Sequence, residues 1–147
     1  MKTPNRHAIT HLGLVEPKDL ARFSALGVMA TINPYWFGKS AVWADSELKQ
    51  LGPDRSERMF PAKSFYEAGV KVAAASDYPV SSPNPLAGIE MAVTRTLIEP
   101  WRGGRTAEEC ALNPAEAISL EQALDAFTLS AAYAYNLEAV TGSLEAR

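Results

Sequence analysis

The chain is poor in cysteine: Cys110 is its only one in 147 residues. That excludes an internal disulfide and a cysteine-based zinc site, and it fits a reducing, cytoplasmic compartment. The plain reading of Cys110 is a small apolar filler of the core. Positive charge is not in excess either, since 14 Lys and Arg face 17 Asp and Glu for a net charge of -3. No basic stripe is available to track a phosphate backbone, so nucleic acid is not an expected partner. Apolar runs are short. None reaches the roughly 20 residues that span a bilayer, and the first ten residues hold no apolar core of signal-peptide length, so no membrane contact is expected. Glycine-rich loops after strands are missing, which removes the P-loop and dinucleotide fingerprints. Around Ser76 the sequence reads Ala-Ala-Ser-Asp-Tyr, which is not a Gly-x-Ser-x-Gly nucleophile elbow.

What is present is enough for one globular core, with 47% apolar and 21% charged residues, and a single domain over 1–147 is expected. Residues 8–10 are extended in character. Glu16-Pro17 then opens a helix through Leu26, with Pro17 suited to the first turn, Leu20, Phe23 and Leu26 as its apolar stripe, and Gly27 as its stop. Residues 28–32 form a short apolar strand ended by Asn33-Pro34. The segment 35–58 reads as a long loop with a helical turn around 46–51. A second helix is expected up to residue 68, stopped by Gly69, followed by a near-continuous apolar strand over 70–75. Asn84 and Pro85 cap a third helix expected over 86–98, and Ser119 with Gln122 forms a capping box for a helix through Phe127, with 128–135 helical again. Strand and helix alternate three times. Such alternation predicts parallel strands joined by crossovers.

Two residues stand where an apolar strand gives way to a loop, the edge at which parallel α/β folds build their sites. These are His11, in Arg6-His7-Ala8-Ile9-Thr10-His11, and Asp77, in Ala75-Ser76-Asp77-Tyr78-Pro79-Val80. His7 and His11 have the spacing that shares a metal on a helix, but on a strand four residues separate them by roughly 13 Å. His11, at the strand's C-terminal end, is the better candidate. A lone histidine is more often structural than ligating, and on spacing alone both readings of His11 stand. Asp77 equally reads as a turn-capping side chain. Tyr35, Trp36 and Trp43 either line a substrate mouth or pin their loop to the core.

Taken in order, the motifs resemble the YtcJ-like branch of the amidohydrolase superfamily, amidohydrolase family 3. The matching pieces are the Arg6 to His11 run, Glu16-Pro17-Lys18-Asp19-Leu20-Ala21-Arg22-Phe23, Leu26-Gly27-Val28, the Ala75 to Val80 run, Pro85-Leu86-Ala87-Gly88-Ile89, Ser119-Leu120-Glu121-Gln122-Ala123-Leu124 and Gly142-Ser143-Leu144-Glu145. The resemblance implies a metal-dependent (β/α)8 barrel in which His11 ends the sixth strand as a metal ligand and Asp77 ends the eighth as a metal-associated acid/base. It implies a divalent metal, zinc by preference, and a small-molecule amide-type substrate whose C–N bond is hydrolysed. This chain departs from the pattern in three ways. Thr10 stands where the family usually has Glu, the family's earlier histidine ligands belong before Arg6, and its Gly-Lys continuation belongs after Glu145. The expected fold is therefore α/β, a partial TIM barrel of about the last three β/α units plus C-terminal helices. The expected function is that of the C-terminal part of an amidohydrolase, inactive as an isolated chain, with a non-catalytic partial-barrel module as the alternative. An open three-stranded remnant would expose an inner face expected to include Ile9, Ala30 and Ala73 or Ala74, so a homo-oligomer is expected unless helices after Gly103 fold back over it.

Overall fold

Ala8–Thr10 (β1), Met29–Ile32 (β2) and Val72–Ala74 (β3) pair in parallel in the order β1-β2-β3 in the computed structural model, which describes residues 5–144. The register sets Ile9 beside Ala30 and Ala30 beside Val72, and likewise Thr10 beside Thr31 and Thr31 beside Ala73. Residues in register point to the same face. Ile9, Ala30 and Val72 therefore share one face, and Thr10, Thr31 and Ala73 the other.

The first face is the one covered by helices. Ala30, Ile32, Val72 and Ala74 join Phe23 of α1 (Pro17–Leu26) and Phe65 of α4 (Ala62–Glu67) in the main core, where the two phenyl rings meet edge to face at 5.0 Å. This corrects the expectation for the open face. The register turns Ile9 and Ala30 toward the helix layer, whereas Ala73, with Ala8, Thr10 and Thr31, lines a cavity of about 510 Å³ on the other side. The far wall of that cavity is α7 (Leu129–Ala134), through Ala131 and Ala134, with Tyr135 just beyond. Together with α6 (Leu120–Phe127), α7 packs against β3. The helices after Gly103 thus fold back over the sheet, and β1 keeps an open edge with Ile9 49% exposed. Arg6 fastens α7 to the start of β1: its guanidinium lies 3.6 Å over the Tyr133 ring, donates to the Tyr133 carbonyl, and pairs with Glu138 at 2.6 Å.

Local chemistry sets most boundaries where the sequence places them. Gly27, at φ 69, ends α1 in the left-handed region that glycine enters freely. Asn84 accepts from the Leu86 N–H at 3.1 Å to start α5 (Pro85–Thr94), and Ser119 and Gln122 complete a reciprocal capping box for α6. Glu145, the last residue of the Gly142 motif, lies outside the described residues.

Two boundaries differ. The segment 35–58 is more helical than a loop, with 3-10 turns at Pro34–Trp36, a π-helical turn at Trp43–Glu47, and the short helices α2 (Leu48–Leu51) and α3 (Pro53–Ser56). The third helix stops at Thr94, four residues before the expected end, because Arg95 turns left-handed at φ 57 and enters the core. Arg95 is 0% exposed. It donates to the carbonyls of Leu112 at 3.0 Å, Phe60 at 3.2 Å and Met59 at 3.2 Å, and its guanidinium lies 4.1 Å over the Phe37 ring. Burial pulls its pKa down to about 9, so it remains charged at neutral pH.

Arg95→Leu removes three buried hydrogen bonds and leaves the Leu112 carbonyl without a donor, and it is expected to cost about 3 kcal/mol or more in urea denaturation. Arg95→Lys is expected to recover less than half of that loss, because an ammonium does not reproduce the planar fork that meets the three carbonyls. Full recovery with lysine would show that charge, not the fork, is what the core requires.

Candidate functional site

The C-terminal ends of the three parallel strands make one rim, and it carries both candidate residues. His11 directly follows β1, Asn33 directly follows β2, and Asp77 follows β3 by three residues. His7 lies at the opposite end, where its carbonyl accepts from the Met29 N–H at 2.8 Å. His7 and His11 therefore cannot share one ion, as strand geometry requires.

A hydrogen-bonded chain runs along this rim. His11 Nδ1 is 3.0 Å from Asn33 Oδ1, and Asn33 Nδ2 donates to the Ala75 carbonyl at 3.1 Å. The second bond fixes the first. A carbonyl accepts only, so the amide NH2 of Asn33 must face Ala75 and its oxygen must face His11. His11 Nδ1 then carries the proton and donates, which leaves Nε2 with its lone pair free at an exposed ring. That is how metal-binding imidazoles are commonly oriented by a second partner. The ring is also stacked on Trp36, with centroids 4.9 Å apart and planes 27° apart. Trp36 in turn donates from Nε1 to Ser81 Oγ at 3.2 Å, tying the loop after β2 to the segment after Asp77.

Backbone strain collects at the same rim. His11, Leu12 and Asp77 have φ of 73°, 53° and 60° without being glycine. Each such residue costs about 1 to 2 kcal/mol in isolation, and such strain gathers at functional sites. The turn after Asp77 is closed by its backbone carbonyl, which accepts from Val80 N–H at 2.8 Å. The Asp77 carboxylate has no hydrogen-bond partner among the described residues and lines the cavity beneath α7 with Asn33. It does not cap the turn, so the turn-capping reading of its side chain is set aside.

The rim thus offers one imidazole nitrogen and one carboxylate as metal donors. A catalytic zinc takes about three protein ligands, and no group of three or more His, Cys, Asp or Glu close enough to hold an ion occurs among the described residues. The donor set does not by itself fit a metal centre. Asn33, fully buried, is the residue that sequence reasoning missed. In the sequence it marks only the end of a strand, and its one signal is a polar side chain at the same rim position as His11 and Asp77.

Parallel strands in sequential order, helices packed against the sheet and a histidine and an aspartate at the C-terminal rim define a small α/β fold. The amidohydrolase family model matches residues 1–147, and the chain belongs to that family. It is 28% identical over 139 residues to an N-substituted formamide deformylase of Arthrobacter pascens, covering 94% of this chain and 23% of that protein. It is 35% identical over 140 residues to the Arabidopsis thaliana protein LONG AFTER FAR-RED 3 (95% and 22%) and 25% identical over 119 residues to the putative amidohydrolase YtcJ of Bacillus subtilis (81% and 22%). Crystal structures of uncharacterized metal-dependent hydrolases from Pyrococcus furiosus and Pyrococcus horikoshii OT3 share the fold, with TM-scores of 0.68 and 0.73 at 23% and 22% identity. Each match covers 94% of this chain and 25% or 26% of the other. The chain spans about a quarter of the length of these relatives. No helix among the described residues is long and apolar enough to cross a membrane.

Asn33→Leu removes both rim hydrogen bonds and leaves the Ala75 carbonyl without its donor. It is expected to destabilise the fold by about 2 kcal/mol in urea denaturation. Unchanged stability would remove Asn33 from its place at the centre of the rim.

Proposed function

We propose that this chain supplies the last three β/α units of an amidohydrolase-type TIM barrel, with His11 as a metal-binding residue through Nε2 and Asp77 as the acid/base of C–N bond hydrolysis. The observation that carries the reading is the Asn33-held His11 ring on the same strained rim as the unpaired Asp77 carboxylate. Their roles follow from their chemistry. A neutral imidazole whose Nδ1–H is already donated presents Nε2 as a ligand atom, and a carboxylate without hydrogen bonds is free to accept a proton from water and pass it to a leaving amine. The metal, zinc by preference, would supply Lewis acidity at that position when bound, and the substrate would be a small amide or related compound. The described residues hold too few donors for a catalytic centre, and the isolated chain is expected not to turn over amides.

A second reading, a non-catalytic module that keeps the scaffold, is favoured by the lack of a three-donor group among the described residues. The fold-back of the helices after Gly103 removes the open inner face as a ground for self-association and leaves the β1 edge, which has one strand neighbour and no buried residue. Light scattering over a dilution series is expected to show a dimer, and a stable monomer at micromolar concentration would count against that assembly.

The purified chain is expected to bind zinc weakly by elemental analysis after dialysis, with His11→Ala lowering the residual binding, and to hydrolyse no amide or formamide substrate. Stoichiometric zinc together with hydrolysis abolished by Asp77→Asn would overturn the inactivity and show a complete site.

A further inference from the structure

Beside the rim, a second cavity of about 380 Å³ is walled by Tyr35, Trp36, Trp43, Phe60 and Val80, with Glu47 as the only acidic residue on its lining. The Glu47 Oε2 atom is buried with no hydrogen-bond partner among the described residues. A carboxylate at an aromatic wall without a full set of donors is costly, and a donor brought by a ligand to the part of Glu47 that lines the pocket would offset that cost. The segment that places it is unusual as well. Trp43–Glu47 is a π-helical turn, the wide form that recurs at functional sites, and it contributes both Trp43 and Glu47 to the pocket wall.

Aromatic faces carry negative electrostatic potential and attract cations. The Trp43 ring already holds one, since Lys39 Nζ sits 5.2 Å from its centroid while paired with Glu57 at 2.8 Å, and Lys39 is not on the pocket lining. Trp36 is the wall shared with the rim, because the ring that borders the pocket is also the one stacked on His11. A group seated in the pocket is therefore adjacent to the candidate centre.

We propose that this pocket binds a protonated primary or secondary alkylamine group, with an N–H donated to the Glu47 carboxylate and the positive charge set against the rings of Trp36 and Trp43. A quaternary ammonium has no N–H to give, so the carboxylate selects against it. The proposal rests on the hydrolase reading for one consequence only, that a substrate held here carries an ammonium group beyond the bond that is cleaved.

The test is a titration of the purified chain with butylammonium chloride and with 1-butanol, read on the indole N–H resonances of Trp36, Trp43 and Trp101. Butylammonium is expected to shift Trp36 and Trp43 saturably with a Kd of about 1 mM, without a matching shift of Trp101, and to bind at least about fivefold more tightly than butanol. Glu47→Gln is expected to weaken butylammonium about tenfold and to leave butanol within about twofold. Equal binding of the two probes, no saturable binding of butylammonium, or an unchanged affinity in Glu47→Gln would each overturn the proposal. The comparison of probes needs no variant, and neither arm needs hydrolysis, so absence of turnover bears on the hydrolase reading alone.

Discussion

The Asn33 side chain is the point on which the rim depends. It is fully buried, and it stands after the central strand with one neighbour on each side. Its amide has only one useful orientation, because the Ala75 carbonyl can accept but not donate. From that single constraint follow the proton on His11 Nδ1, the free lone pair on Nε2, and a fixed relation between the ends of all three strands. Neighbouring strand ends are held by a side chain where ladder hydrogen bonds stop, and the left-handed turns at His11 and Asp77 begin just beyond it. Their backbone strain is sustained by that support.

Behind the rim, a train of rings carries the support into the core. His11 stacks on Trp36, Trp36 meets Phe60 at 6.4 Å, Phe60 meets Phe37 at 5.4 Å, and Phe37 lies under the Arg95 guanidinium. Arg95 also binds the carbonyls of Met59 and Phe60, so the cation holds both the backbone and the ring stack of the segment that borders the rim. A fully buried cation without a carboxylate at salt-bridge distance is an expensive choice for a core. Here its N–H groups meet three carbonyls, of which that of Leu112 would otherwise lie unpaired, and its planar shape lets it stack.

The sequence carried much of this, and the reasons it failed elsewhere are physical. Pro17 with Gly27, Asn84 with Pro85, and Ser119 with Gln122 act through bonds within a few residues, so they are visible without tertiary knowledge. The parallel sheet was legible from alternation of strand and helix, and the rim positions of His11 and Asp77 from the ends of apolar runs. Faces were harder. Strands of three or four residues contain too little alternation to read, and only the register shows that Ile9 and Ala30 face the helix layer. Arg95 and Asn33 escaped for a shared reason: a polar residue buried by partners 17 to 42 positions away has no local pattern. The same holds for Glu47, whose importance lies in a pocket assembled from four separate segments.

The central claim is that Asn33 holds His11 as the Nδ1–H tautomer with Nε2 free. Long-range 15N–1H correlation spectra of the imidazole rings test it directly, and the two histidines of the chain give two spin systems. With both rings neutral, His11 is expected to show a protonated Nδ1 and an unprotonated Nε2, while exposed His7 shows the mixture of an unconstrained ring, in which the Nε2–H form predominates. A His11 spectrum matching that of His7, with its proton on Nε2, would contradict the account.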